Sequence, residues 1–368
     1  MLKKTDFLSL ELPGKHRIPS IDYLRTVAIF LVILIHTQPP VGAFESYITG
    51  NGRSLIEASI DFGLDRMMVL AIPFLFLVAG YFFGQKMLSS DSPIRTLGTY
   101  LRRLIIAWFF WRIFYHLMPS PRDIENISQD GLLKYLYSLY IEASAGLFDF
   151  FIIQAPPHLW FMPALITALC IVTCFSFIKK QWLVLPLVVS LYVYCVATNT
   201  YATTPLRTSL NSFLALDFPL VNCYAVVFVY TGWYLATKKI VLESRQAAKL
   251  IVLGVIISCI ELLFFWKEIA ITARHASHTI GALFLVIGLT MYAFSMPNIG
   301  KNNVAAKFGR YGLGIYLVHY FFLFWTDSLN RQLGYPLGDI IQPLAVYLFS
   351  LVVAILLSKS KWLRPIVV

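Results

Sequence analysis

The run Ile21-Asp22-Tyr23-Leu24-Arg25-Thr26-Val27-Ala28-Ile29-Phe30-Leu31-Val32-Ile33-Leu34-Ile35-His36 decides how the rest of the chain is read. It is apolar enough for a bilayer-crossing helix, which needs roughly 20 mostly apolar residues. Yet it carries a carboxylate, a guanidinium and an imidazole. Ionisable groups inside a span cost a few kcal/mol each, so each marks a functional site by default. At about 100° per residue, His36 comes back to within about 20° of Arg25 around the helix. It lies about 16 Å further along the axis. Asp22 sits about 40° off the same line. The three form one stripe, with Arg25 near one end and His36 near the other.

The surrounding composition makes the same demand. Of 368 residues, 58% are hydrophobic and 13% charged, whereas a soluble domain carries roughly 25% charge. An aqueous surface cannot be covered, so the fold class is an all-α polytopic bundle. Ten apolar segments are predicted as transmembrane helices, near 21–38, 62–84, 104–118, 158–178, 182–198, 212–236, 249–266, 278–296, 311–327 and 339–358. The net charge of +11 would suit nucleic acid if it formed a patch, but the Lys and Arg are spread among loops. Alternating the spans from a cytoplasmic start puts 20 Lys and Arg in the cytoplasmic loops and seven in the opposite ones. That split satisfies the positive-inside rule and places both termini in the cytoplasm.

The segment 132–153 is apolar enough to be mistaken for a further span, but counting it would put Lys179 and Lys180 outside. The stretch 119–157 therefore reads as a long extracytoplasmic loop, with an interfacial helix and the position of a lid. The first apolar run lacks a small-residue cleavage site and reads as a retained anchor. No internal repeat or soluble appendage is visible, so 1–368 reads as one integral-membrane domain. The five cysteines all fall in apolar stretches, and Cys170 with Cys174, one turn apart, reads as core packing.

Further polar residues fall within or beside predicted spans. Trp108, Arg112, Tyr115 and His116 recur at three- and four-residue spacing and share a helix face. A mid-span Arg112 needs a partner, for which Asp217 and Asp22 are the candidates. His158 and Trp160 open the fourth span at its outer end, where they act at the site or anchor the helix at the interface. His319 lies mid-span, and Glu261 reads as a headgroup-level residue. Asp22, Arg112, His116, His158, Trp160 and His319 are the candidate substrate-binding residues. The histidines have none of the short spacings of metal-binding loops, so no metal site is expected.

Ile21 through Ala28, followed by His36, resembles the opening of membrane acyltransferase family 3, in which Arg or Lys, ten intervening residues and His recur in the first helix. Pro73-Phe74-Leu75-Phe76-Leu77-Val78-Ala79-Gly80-Tyr81 is similar to that family's second-span run. His158-Leu159-Trp160-Phe161-Met162 resembles its mid-chain His-Leu-Trp-Tyr-Leu run, and Tyr311 through Ile315-Tyr316-Leu317-Val318-His319 its penultimate-span run. Two departures stand out. Ala79 occupies a position where the family usually has Ser. Arg102 and Arg103 are adjacent where the family commonly separates two Arg by two residues, and Ile106 is apolar.

The resemblance implies ten spans and transfer of an acyl group, usually acetyl, from cytoplasmic acetyl-CoA to a carbohydrate hydroxyl at the outer face. It points to the inner membrane of a bacterium. On that implication His36, with Arg25, is the catalytic pair, His36 acting as general base or as acyl carrier. Arg25, Arg102 and Arg103 hold the CoA phosphates by forked hydrogen bonds. The expected partners are the lipid bilayer, acetyl-CoA and a carbohydrate acceptor, with no nucleic acid and no permanently bound cofactor. The alternative is a transporter or flippase for a small polar solute or a lipid-linked sugar, although paired Gly/Pro interruptions of the two halves are absent.

Overall fold

The computed structural model describes residues 17–37, 55–144, 146, 156–199, 220–272, 279–333 and 341–367. Among them there are helices and no strands. In chain order the α-helices are α1 (Pro19–Thr37), α2 (Leu55–Leu88), α3 (Pro93–Leu117), α4 (Pro121–Asp130), α5 (Leu132–Ser144), α6 (Phe161–Ser176) and α7 (Val184–Asn199). They continue as α8 (Leu220–Thr237), α9 (Ser244–Thr272), α10 (Ile280–Ser295), α11 (Val304–Phe308), α12 (Gly312–Leu333) and α13 (Ile341–Lys359). Short 3₁₀ turns at Pro157–Trp160, Gly309–Tyr311 and Arg364–Ile366 adjoin α6, α12 and the chain's C-terminal end.

Among the described residues, four helical stretches are long and apolar enough to cross a membrane: Pro19–Thr37, Met67–Leu88, Pro157–Ser176 and Ile341–Lys359. Gln181–Ala197, Cys223–Thr237 and Ile280–Ser295 are shorter apolar helices. The outward faces are apolar as well. Val252, Val255 and Ile256 on α9 and Leu348, Phe349 and Val352 on α13 are exposed, a surface that only lipid can cover without cost. The protein is a membrane protein.

Helix α1 lies inside the bundle, packed against α2, α10, α11, α12 and α13. Its buried residues Ile21, Ala28, Ile29, Val32 and Ile33 recur at helical spacing, so the Arg25–His36 stripe is enclosed by other helices. The α2 and α8 backbones come into close contact. A Cβ on Gly80 would lie 2.1 Å from the Val229 carbonyl oxygen, and one on Gly232 would lie 2.0 Å from that of Leu77. Small residues that let backbones meet are what hold helices together where water supplies no hydrophobic drive.

The structure differs from the sequence expectations in four places, each with a local cause. Helix α3 begins at Pro93, well before 104, because the Ser92 hydroxyl accepts from the Arg95 amide and Pro93 fits the first turn. The stretch 119–157 contains two helices. Ser120 and Asp123 form a reciprocal cap that starts α4, and Gly131, with φ of 90°, separates it from α5. Glu261 is buried, and its carboxylate accepts from the Ile280 and Gly281 amides at 2.7 and 2.9 Å. It therefore serves as the anion at the α10 N-terminus and is not a headgroup residue. Cys170 is half-buried and Cys174 exposed, so that pair faces outward from the core.

Candidate active site

At the Arg25 end of α1, Asp22 is 6% exposed and its carboxylate meets Arg17 Nε at 2.9 Å and Arg25 Nη1 at 3.4 Å. The Asp22 backbone is pinned too: a Cβ on Gly309 would stand 2.3 Å from the Asp22 carbonyl oxygen. The Arg25 guanidinium lies 4.9 Å over the Phe82 ring, a cation–π contact. Tyr100 is within electrostatic reach of both Arg25 and Arg103, and Arg103 is within reach of Arg364. Two guanidinium groups thus share the Asp22 carboxylate, and Tyr100 links Arg25 to a further pair, Arg103 and Arg364, leaving a surplus of positive charge.

Arg102 stands apart from this group. It falls at helical spacing with exposed Ile105, Ile106, Phe109 and Ile113, whereas Arg103 shares the face of Tyr100 and buried Ala107. The sequence pairs these two arginines; the helix turns them about 100° apart.

At the other end of the stripe His36 meets two further elements. Its ring centroid is 5.3 Å from that of His319 and 5.6 Å from that of Tyr320, both on α12. His158, from the 3₁₀ turn that starts α6, is 5.2 Å from His319 and stacks on Tyr320 at 4.5 Å with an interplanar angle of 20°. Both His158 and His319 are fully buried, which excludes an interfacial anchor for His158. Pro156 and Pro157 fix the entry to the turn, and the Tyr316 hydroxyl donates to the His158 carbonyl. Trp160, next on that turn, packs with Phe76 and Phe161.

The hydrogen bonding of these imidazoles fixes what they can do. His319 Nδ1 lies 2.5 Å from the Tyr316 carbonyl oxygen. A carbonyl only accepts, so Nδ1 carries the hydrogen and Nε2 presents a lone pair. Among the described residues that Nε2 has no hydrogen-bond partner, and neither ring nitrogen of His158 has one of good geometry, although the Leu317 carbonyl is near. Leaving a buried polar atom unpaired costs about 1–3 kcal/mol. A fold that tolerates three such atoms in one cluster is equipped to receive a hydroxyl there.

Beside this cluster, Arg112 is 1% exposed and its Nη2 meets Glu142 Oε1 at 2.6 Å, while His116 Nδ1 meets Glu142 Oε2 at 3.2 Å. Among the described residues the carboxylate that meets Arg112 is Glu142, while Asp22 holds Arg17 and Arg25 and Asp217 lies outside the described residues. Glu142 is on α5, so the loop segment is strapped to α3. Replacing Glu142 with Gln should lower stability by about 1.5–3 kcal/mol, read as a drop in melting temperature in detergent. An unchanged melting temperature for Glu142→Gln would show that the strap carries no load.

Glu142, Tyr316 and Tyr320 are absent from the candidates drawn from sequence. Glu142 was findable: a buried Arg112 demands a carboxylate, and 119–157 offers only five. Tyr320 follows His319 directly, and nothing in the sequence says that the helix turns it toward His158.

The family model described as an acyltransferase domain matches residues 18–359. A serine/alanine racemase from Enterococcus gallinarum is 22% identical over 357 residues, which is 94% of this chain and 47% of that protein. The chain thus spans about half the length of that relative. No solved structure matches.

Proposed function

The chain belongs to acyltransferase family 3, and on that premise we propose that it transfers acetyl from acetyl-CoA to a hydroxyl of a surface or exported carbohydrate. The observation that carries this reading is the gathering of His36, His158 and His319 into one buried cluster. It lies on the same α1 stripe whose other end carries Arg25, beside Arg17 and linked through Tyr100 to Arg103. The reading includes about ten spans in a bacterial inner membrane, with both termini cytoplasmic, supported by the distribution of Lys and Arg among the loops.

The arginine end suits a donor with several phosphates, since guanidinium groups pair with phosphate oxygens by forked bonds. The distance of about 16 Å to His36 suits an extended thiol-ended arm. At the histidine end the acceptor oxygen attacks the thioester carbonyl while its proton passes to His36. The carbon–sulfur bond then breaks and the proton goes to the departing sulfur. In the two-step version the His36 nitrogen attacks the thioester carbonyl, the carbon–sulfur bond breaks and the ring's proton leaves with the thiol; the acceptor oxygen then attacks that acyl carbon, the carbon–nitrogen bond breaks and the acceptor's proton returns to the imidazole.

The reading is tested by following radiolabel from acetyl-CoA with purified protein, with and without glycan. Label appearing in glycan supports it, and label that stays on CoA contradicts it. The donor site has its own expected outcome. Arg103→Ala should weaken CoA binding about tenfold to a hundredfold, for loss of one charge-assisted contact. Arg102→Ala, on the outward face, should change it little. Equal effects in calorimetry would remove the distinction between the two arginines.

A further inference from the structure

The Tyr115 hydroxyl donates to the Leu317 carbonyl at 2.7 Å and accepts from the Phe321 amide at 3.2 Å. Leu317 and Phe321 are four residues apart, so they are the two ends of a single helical hydrogen-bonded turn. The turn they close carries His319 and Tyr320. A side chain from α3 is therefore inserted at the one rung of α12 that presents the cluster's imidazole and phenol, and such insertions set local helix direction. The same ring lies 5.1 Å from His158, nearly perpendicular to it, and 6.5 Å from Tyr320.

We propose that Tyr115 is a positioning residue: its hydroxyl holds the Leu317–Phe321 turn so that His319 and Tyr320 keep their places against His36 and His158. The inference rests on the acyl-transfer reading for its consequence, though its geometry stands independently. Three helical elements meet at the cluster, and packing alone leaves a helix free to slide or rotate by fractions of an ångström. A hydroxyl bonded at both ends of one turn removes that freedom. Misplacing a reacting group by about 1 Å costs on the order of a hundredfold in rate. The action is indirect, since Tyr115 gives its hydroxyl hydrogen to the Leu317 carbonyl and accepts from the Phe321 amide.

Tyr115→Phe tests this, because it keeps the ring packed on His158 and removes one oxygen. Tyr192→Phe is the matched control: its hydroxyl also donates to a helix-end carbonyl across the bundle, that of Thr279, far in sequence from the cluster. In Tyr115→Phe kcat should fall about tenfold to a hundredfold, with the KM for acetyl-CoA unchanged. Amide exchange should accelerate in the peptide spanning residues 317–322. Tyr192→Phe should leave kcat and that peptide as in the wild type while losing comparable stability. A native kcat in Tyr115→Phe, or the same loss in both variants, would reduce Tyr115 to an ordinary strut. Unchanged exchange at 317–322 would overturn the positioning geometry outright. If the wild-type protein transfers no acyl group, the functional reading fails and the exchange result still decides whether Tyr115 holds the turn.

Discussion

Replacing His36 with alanine should reduce acyl transfer by about 10²–10⁴-fold, the usual cost of removing a general base, or to nothing if the imidazole carries the acyl group. The protein should remain folded and bind acetyl-CoA as before, because the arginine group lies a helix length away. His36 is chosen over its neighbours for its placement. It shares a stripe with Arg25, and its ring meets both His319 and Tyr320. His319→Ala should also be slow, but through loss of the acceptor's hydrogen-bond partner. Its Nδ1 is engaged with the Tyr316 carbonyl, which leaves its Nε2 lone pair to accept. Comparison at matched expression in a glycan-acetylation assay checks both. A His36→Ala protein that works within a small factor of wild type would end the proposed mechanism.

The second large effect is on folding. Gly80→Val should abolish or severely reduce folded protein, because a Cβ there would stand 2.1 Å from the Val229 carbonyl oxygen, 2.7 Å from its carbonyl carbon and 2.7 Å from its Cα. No rotamer change relieves a clash with backbone, so α2 and α8 must part. Overpacking costs typically 1–3 kcal/mol, and we expect the upper end or beyond, since Gly232 meets the Leu77 carbonyl in the same way one turn below. Gly98, with nothing within 4 Å of a built Cβ, is the matched site: Gly98→Ala should be neutral or mildly stabilising, as expected for Gly to Ala in a helix. Detergent-solubilised yield and melting temperature read both. Near-native stability of Gly80→Val would mean that the two helices are not in backbone contact.

Much of the fold is legible in the sequence because a bilayer imposes strong rules. Low charge and long apolar runs predict helices, and Arg25 and His36 fall on one face by arithmetic alone. The meeting of His36 with His158 and His319 is not legible, since it depends on which helices neighbour α1, and helical periodicity says nothing of neighbours. Arg102 and Arg103 show the opposite failure. Adjacency in sequence suggests a pair, yet successive helical residues point about 100° apart. Glu142 can be reached only by elimination, from the demand of Arg112 for a carboxylate, because 119–157 reads as loop and a carboxylate in a loop ordinarily pairs with water. Glu261 lacks its context in the sequence: a carboxylate near a span end looks interfacial until the next helix is seen to begin on it. Gly80 sits in a run that resembles its family's second span, but only the backbone contact with Val229 explains why a glycine is needed.

On the proposed reading, one helix joins a donor site to an acceptor site at opposite ends of the Arg25–His36 stripe. Vesicles reconstituted with the purified protein, carrying glycan on one side only and given labelled acetyl-CoA on the other, test that claim most directly. Label should accumulate in the enclosed glycan with wild-type protein, not with His36→Ala, and only when acetyl-CoA faces the side on which residues 237–249 lie. Label that reaches glycan only when donor and acceptor share a compartment would contradict it.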